Sequence, residues 1–318
     1  MEREDLLHKI EEIGFRLQNA AFRDSVQREK GEYNYRYYCI PNNNRDLAGT
    51  DFCYEDQNEF IHFTSLDNLY HMLQSCSLRL YNLVNMDDKL ELEYALHDLS
   101  FHQTDKWIKD KENIFCLSMC SYPEINDDET AEHLLWKIHG RNGAGVYVRL
   151  QVENNSRNWE QYHLSKVYYH TTNVQAIKEL HETIDNIELD PKVCCFFKNS
   201  IYSFEHEIRL LFDARTEHTV TVSITKDDKQ LYPILIDDKL IDKENVKYVE
   251  LPLANLNTTL LSFFGIQGSR KEICLPRISI TEIVLGYRYS QEEVLRIQEK
   301  IKSFIDVPVT LSRLKKYY

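Results

Sequence analysis

Glu205, Glu207 and Arg209 stand at alternate positions of the segment FEHEIRLLF, residues 204–212. Successive side chains of a strand point to opposite faces, so a strand here sets two carboxylates and a guanidinium side by side. Ile208, Leu210 and Phe212 then form the opposite, apolar face. With Asp87 and Asp88, the two glutamates are acids of the kind that hold a divalent metal in a nuclease or other phosphodiesterase. The same alternation equally describes the solvated face of an antiparallel sheet. Residues alone leave both readings open.

The surrounding pattern supplies elements that could carry such a strand. Leu6, Ile10, Ile13 and Leu17 recur at helical spacing and predict an opening amphipathic helix. The polar, tyrosine-rich stretch through PNNNRDLAGTD reads as a surface loop. Residues 1–58 are therefore expected to form a helix-and-loop extension, and residues 59–318 a single domain. That domain opens on FIHFTS, a short strand followed by a helix that Thr64 or Ser65 can cap. Leu66, Leu69, Tyr70 and Leu73 share one side of that helix, and SLRLYNLVN is extended. IFCLSMC reads as a buried strand. The next helix has Ala131, Leu134, Leu135 and Ile138 in register, with Trp136 expected in the core. HGRNGAG is a glycine turn leading into the strand GVYVRLQV. HTVTVSI and YPILI read as further strands. Near the C-terminus a helix capped by Ser290 carries Val294, Ile297, Ile301 and Phe304, and VPVTLSR is a last strand. Strands with interspersed helices and no βαβ repeat predict an α+β fold.

Composition narrows the classes of function. The chain has 318 residues, 28% of them charged, and a formal net charge of −13. That balance argues against general nucleic-acid binding, which needs a basic surface, but leaves room for a local basic groove. No apolar run approaches the length that spans a bilayer, so no membrane partner is expected. The first residues lack the apolar core of a signal peptide, and the eight cysteines are spread along the chain. Reduced, buried cysteines in a cytoplasmic protein fit that usage. Neither Cys116/Cys120 nor Cys194–Cys195 makes a repeated CxxC, and the histidines match no metal-ligand motif, so no metal site is assigned. Walker, GxGxxG, HExxH and GxSxG motifs are all missing.

Five stretches, taken in order, resemble a bacterial family called domain of unknown function 2971. They are HFTSLDNLYHMLQSCSLRLYN, LVNMDDKLELEY, IFCLSMC with LLWKIHGRNGAGVYVRL, FFKNSIYSFEHEIRLLF, and SITEIVLGYRYS. Together they cover about residues 60–315. Two positions depart from the family pattern: Tyr202 stands where a tryptophan is usual, and Asn85-Met86-Asp87-Asp88 replaces an Asn-Asp-Pro turn.

More remotely, the arrangement is similar to the ADP-ribosyltransferase superfamily. The resemblance implies a split, mostly antiparallel sheet flanked by helices, and NAD as a substrate. It implies that Glu207 is the catalytic glutamate, stabilising positive charge at the ribose as nicotinamide leaves, and that Glu205 orients or deprotonates the incoming nucleophile. His62 matches the first-strand residue that fixes the other ribose, Thr64 lies in the same Phe-Thr-Ser opening, and Tyr81 would stack on nicotinamide. Arg209 would bind pyrophosphate or pair with Glu207 and hold it. The acceptor, macromolecule or small molecule, is not specified, and a bacterial toxin or anti-phage effector is the implied setting. The alternatives are a non-catalytic nucleotide- or protein-binding module on the same fold, and the metal-dependent nuclease.

Overall fold

The computed structural model describes residues 3–12, 15–22, 34–41, 58–85, 89–99, 101–102, 105–152, 162–169, 175–183, 187–215, 219–223, 229–233, 236–241, 244–256, 272–273 and 275–318. In chain order the strands are β1 (Phe15–Phe22), β2 (Asn34–Pro41), β3 (Glu59–Thr64), β4 (Ser77–Asn82), β5 (Ile114–Ser121), β6 (Val146–Val152), β7 (Tyr162–Lys166) and β8 (Ile187–Leu189). They continue as β9 (Glu207–Asp213), β10 (Thr219–Ser223), β11 (Lys229–Pro233), β12 (Ile236–Ile241), β13 (Glu244–Pro252), β14 (Glu272–Ile273), β15 (Ile278–Leu285) and β16 (Val309–Leu311). The helices are α1 (Arg3–Glu12), α2 (Leu66–Ser75), α3 (Lys89–Asp98), α4 (Asp105–Lys111), α5 (Tyr122–Asp127), α6 (Glu129–Ile138), α7 (Gln175–Thr183), α8 (Pro191–Cys194) and α9 (Gln291–Lys302).

The main sheet runs β12-β13-β4-β5-β3-β6-β15-β16, with β9 paired to β5 and β7 to β9. Its ladders are antiparallel except β15 with β16. This is an α+β protein built on a mixed, mostly antiparallel open sheet flanked by helices. Among the described residues no helix is long and apolar enough to cross a membrane.

One irregularity organises the molecule. Along one edge, β5 pairs with β9 from Ile114 to Cys120. On its other edge the start of β5 meets β4, with Cys116 opposite Tyr81, while its end meets β3, with Cys120 opposite Ile61. Between those contacts β3 and β4 part company, and the sheet forks around Leu117–Met119.

The two largest clusters pack on opposite faces of the sheet. Phe60, Leu80, Phe115, Leu117, Ile208, Leu210 and Phe212 pack with Leu69 and Leu73 of α2 and Val294, Ile297 and Ile301 of α9. Each such buried leucine or isoleucine contributes roughly 1.5–3 kcal/mol relative to exposure. On the reverse side Cys116 and Leu211 meet Leu6 and Ile10 of α1, Leu92 and Leu96 of α3, Ile177 of α7 and Val193–Phe197. The opening helix is thus packed into the body of the protein.

Local signals place most boundaries. The Ser65 hydroxyl caps α2, accepting from the Asn68 N–H at 3.1 Å. Ser290 and Glu293 form the reciprocal capping box of α9. Trp136 is fully buried, its Nε1–H on Glu132 at 3.2 Å. The N-terminal expectation needs correcting: α1 stops at Glu12, and Leu17 lies on β1 opposite Cys39 of β2. Tyr35, Tyr37 and Tyr38 belong to that hairpin rather than to a loop, since aromatic residues suit a pleated ladder. Ile13 and residues 42–57 lie outside the described residues.

Candidate functional site

The Glu-x-Glu-x-Arg segment is not one strand. Ser200–Glu205 forms a 3-10 turn capped by the Asn199 side chain, and His206 takes a left-handed conformation with φ 42°. β9 begins only at Glu207. Strand periodicity therefore accounts for Glu207 and Arg209, which sit opposite Cys120 and Ser118 of β5. It does not account for Glu205, which the turn and His206 bring back toward the same place.

Nor is this face solvated. All seven residues of β9 are buried, and Arg209 is 0% exposed. Arg209 grips Glu207 in a fork, Nε to Oε1 at 2.7 Å and Nη2 to Oε2 at 2.9 Å. Its Nη1 donates to the Cys195 carbonyl at 2.6 Å. Lys198 bridges both acids, 2.6 Å from Glu205 Oε2 and 3.0 Å from Glu207 Oε2. The Tyr169 hydroxyl accepts from the Glu207 N–H at 3.0 Å, and burial pushes that phenol well up. Burial alone would raise the Glu207 carboxyl. The charges of Arg209 and Lys198, with hydrogen bonds from Arg209 and Ser118, override it and hold Glu207 below the usual carboxylate range. Cys120, behind the pair, is driven up by burial and by both glutamates, so it rests as a thiol.

This network meets solvent at two places. Ser118, whose hydroxyl bonds Glu207, is the one exposed residue of β5 and lies where the sheet forks. His139 follows the end of α6, and its Nε2 is 3.1 Å from Glu205 Oε1. His139 is 45% exposed while Glu205 is 4% exposed. Beside them His62 donates from Nδ1 to the Ser118 carbonyl at 2.9 Å. Desolvation keeps His62 below the ordinary histidine range despite that bond.

The fork opens into a cleft of about 380 Å³. His62, Thr64, Tyr81 and His139 line it, with Arg79 and Arg141. Period two on β4 turns Arg79 and Tyr81 the same way. Arg79 is braced by Glu250 at 3.2 Å and lies over the Tyr248 ring.

Three of the residues singled out by the sequence, His62, Thr64 and Tyr81, thus share one cleft. Glu205 reaches it through His139, and Glu207 reaches the fork through Ser118. Arg209 does not reach it: of its two roles, pairing with Glu207 is the one its contacts fit. Asp87 and Asp88 lie outside the described residues, and among those described no group of three or more His, Cys, Asp or Glu is placed to hold a metal ion. Lys198 belongs to the family-like segment FFKNSIYSFEHEIRLLF but had no role assigned to it, and His139, Ser118 and Arg141 were not identified from the sequence. The one signal available for Ser118 was a polar residue inside the apolar run IFCLSMC.

The turn carrying His139 and Arg141 rests on two glycines. Gly143 adopts φ +81° against the Tyr287 ring, and a Cβ on Gly286 would overlap the Gly143 carbonyl. Arg141 and Asn142 are themselves left-handed, with φ 49° and 54°. Gly286→Ala is expected to destabilise the protein by about 1–3 kcal/mol, as overpacking does. Urea denaturation checks this, and an unchanged midpoint would contradict the close packing of this turn.

Fold and site together define an α+β protein with a forked sheet, a polar cleft at the fork, and a buried set of two carboxylates and two cations behind it. Compared with known proteins, the chain matches no family model, no curated protein and no solved structure.

Proposed function

We propose that the cleft binds NAD and that the protein is an ADP-ribosyltransferase-like enzyme, transferring ADP-ribose with release of nicotinamide. The observation that carries this reading is the convergence of His62, Thr64 and Tyr81 on one cleft with His139, which bonds Glu205, itself joined to Glu207 through Lys198. Tyr81 supplies an aromatic wall for nicotinamide, and His62 and Thr64 supply polar contacts to a ribose. Arg141 and Arg79 take the pyrophosphate role in place of Arg209. Glu207, fixed by Arg209, keeps negative charge beside Ser118, where a positive sugar centre would develop. A setting as a bacterial toxin or anti-phage effector rests on the family resemblance alone.

A second reading, a nucleotide-binding module without turnover, is favoured by one observation: both oxygens of Glu207 are already engaged by Arg209 and Lys198. Chromatography of nicotinamide released from NAD separates the two. Turnover is expected in the native chain and should fall by about 100-fold or more in Glu207→Gln. Tyr81→Ala, at the cleft wall and outside the buried network, should raise KM while leaving the fold intact. Binding without release favours the module, and no binding of NAD at all rejects the proposal.

A further inference from the structure

Taking the NAD reading as its basis, we infer that His139 is the general base of the cleft and that Glu205 is its positioning residue. The resemblance gave the base role to Glu205 itself, but the geometry interposes an imidazole. Glu205 is 4% exposed, with Oε2 on Lys198 at 2.6 Å and Oε1 on His139 at 3.1 Å. A carboxylate so enclosed cannot reach an acceptor. His139 is 45% exposed, lines the cleft, and stands on the turn that also presents Arg141.

The bonding assigns the tautomer. A carboxylate only accepts, so the ring nitrogen facing Glu205 must donate, and in the neutral imidazole a proton on Nε2 leaves Nδ1 with its lone pair. The charged and titratable groups around the ring are Glu205 on the 3-10 turn, Lys198 behind it, His62 on β3 and Arg141 on the glycine turn. Lys198 offsets the charge of Glu205, and burial holds His62 below the ordinary histidine range.

In the transfer step the nicotinamide–ribose bond breaks and its electron pair leaves on the nicotinamide nitrogen. An acceptor hydroxyl or water forms the new bond to the anomeric carbon, and its proton passes to Nδ1 of His139. Glu205 stabilises the imidazolium that results. The acceptor class is accordingly a nucleophile that carries its proton at neutral pH, such as a hydroxyl or water, rather than one already ionised.

The test uses the full chain and three variants, His139→Ala, His139→Gln and Glu205→Gln. Removal of His139 is expected to lower turnover of saturating NAD by about 100-fold or more, in line with loss of a general base, with NAD affinity unchanged. Added imidazole should restore part of the rate to His139→Ala, with a pH profile that follows the added base. Long-range nitrogen NMR on the unliganded protein should show the Nε2–H tautomer at His139, and a tautomer mixture in Glu205→Gln. That second readout needs no substrate. If NAD is not turned over but the tautomer depends on Glu205, the NAD reading fails and the dyad stands. A His139 variant with native turnover, or a tautomer indifferent to Glu205, overturns the inference.

Discussion

Replacing Arg209 with methionine is expected to cost the protein about 3–5 kcal/mol of stability, the usual result of removing one partner of a buried ion pair. The substitution keeps much of the side-chain volume, so cavity formation is a minor part of the loss. What remains is electrostatic. Glu207 would be left buried with Lys198 and Ser118 as its polar side-chain partners, and the Cys195 carbonyl would lose its guanidinium donor. Arg209 is also the charge that most lowers the Glu207 carboxyl, so its removal favours protonation of Glu207. Urea denaturation at neutral pH measures the loss. The double variant Glu207→Gln with Arg209→Met should be more stable than the sum of the two single changes predicts, because it removes both unmatched charges. A loss below about 1 kcal/mol for Arg209→Met would contradict the dependence of the buried Glu207 charge on Arg209.

The second large effect belongs to the other end of β9. Asp213 is buried there and accepts from Arg215 Nε and Nη2, each at 2.8 Å, while Lys192 stands 2.8 Å away. Arg215 extends the group to Asp190 of the α8 cap and Asp110 of α4. Burial would raise the Asp213 carboxyl, but Arg215 and Lys192 outweigh it and depress it strongly. A depressed folded-state value means that the stabilisation is present above the unfolded value of about 4 and is lost as pH falls below it. Asp213→Asn is therefore expected to lose about 2–3 kcal/mol at pH 7, and its deficit should shrink steadily in acid. Urea midpoints of native and variant protein between pH 7 and pH 2 provide the check. A deficit that stays constant with pH would mean that Asp213 acts by shape alone.

Both predictions concern groups that the sequence displays as ordinary charged residues. Nothing in the spacing of Lys192, Asp213 and Arg215 announces a buried ionic cluster, because its members come from α8 and from the end of β9. Their burial depends on what covers β9 from the side of β7 and α8.

By itself the sequence determined the elements with strong local signals. The capped helices α2 and α9, the apolar run of β5, the alternating strand β6 and the glycine turn before it all follow from hydrogen-bonding caps, periodicity and backbone freedom. It also determined that Glu207 and Arg209 are neighbours, since that needs only the two-residue repeat of a strand. The tertiary structure decided everything that depends on partners far along the chain. It broke the strand at His206, so Glu205 joins the site through a turn rather than through periodicity. It buried the face that could have been solvated, because the Val193–Phe197 segment packs with Leu211 on that side of β9 and its Cys195 carbonyl accepts from Arg209. It forked the sheet at β5 and set His62, Thr64, Tyr81 and His139 around one cleft. Most of these outcomes rest on contacts between residues far apart along the chain, such as His139 with Glu205 and β5 with β9, which local propensity does not encode.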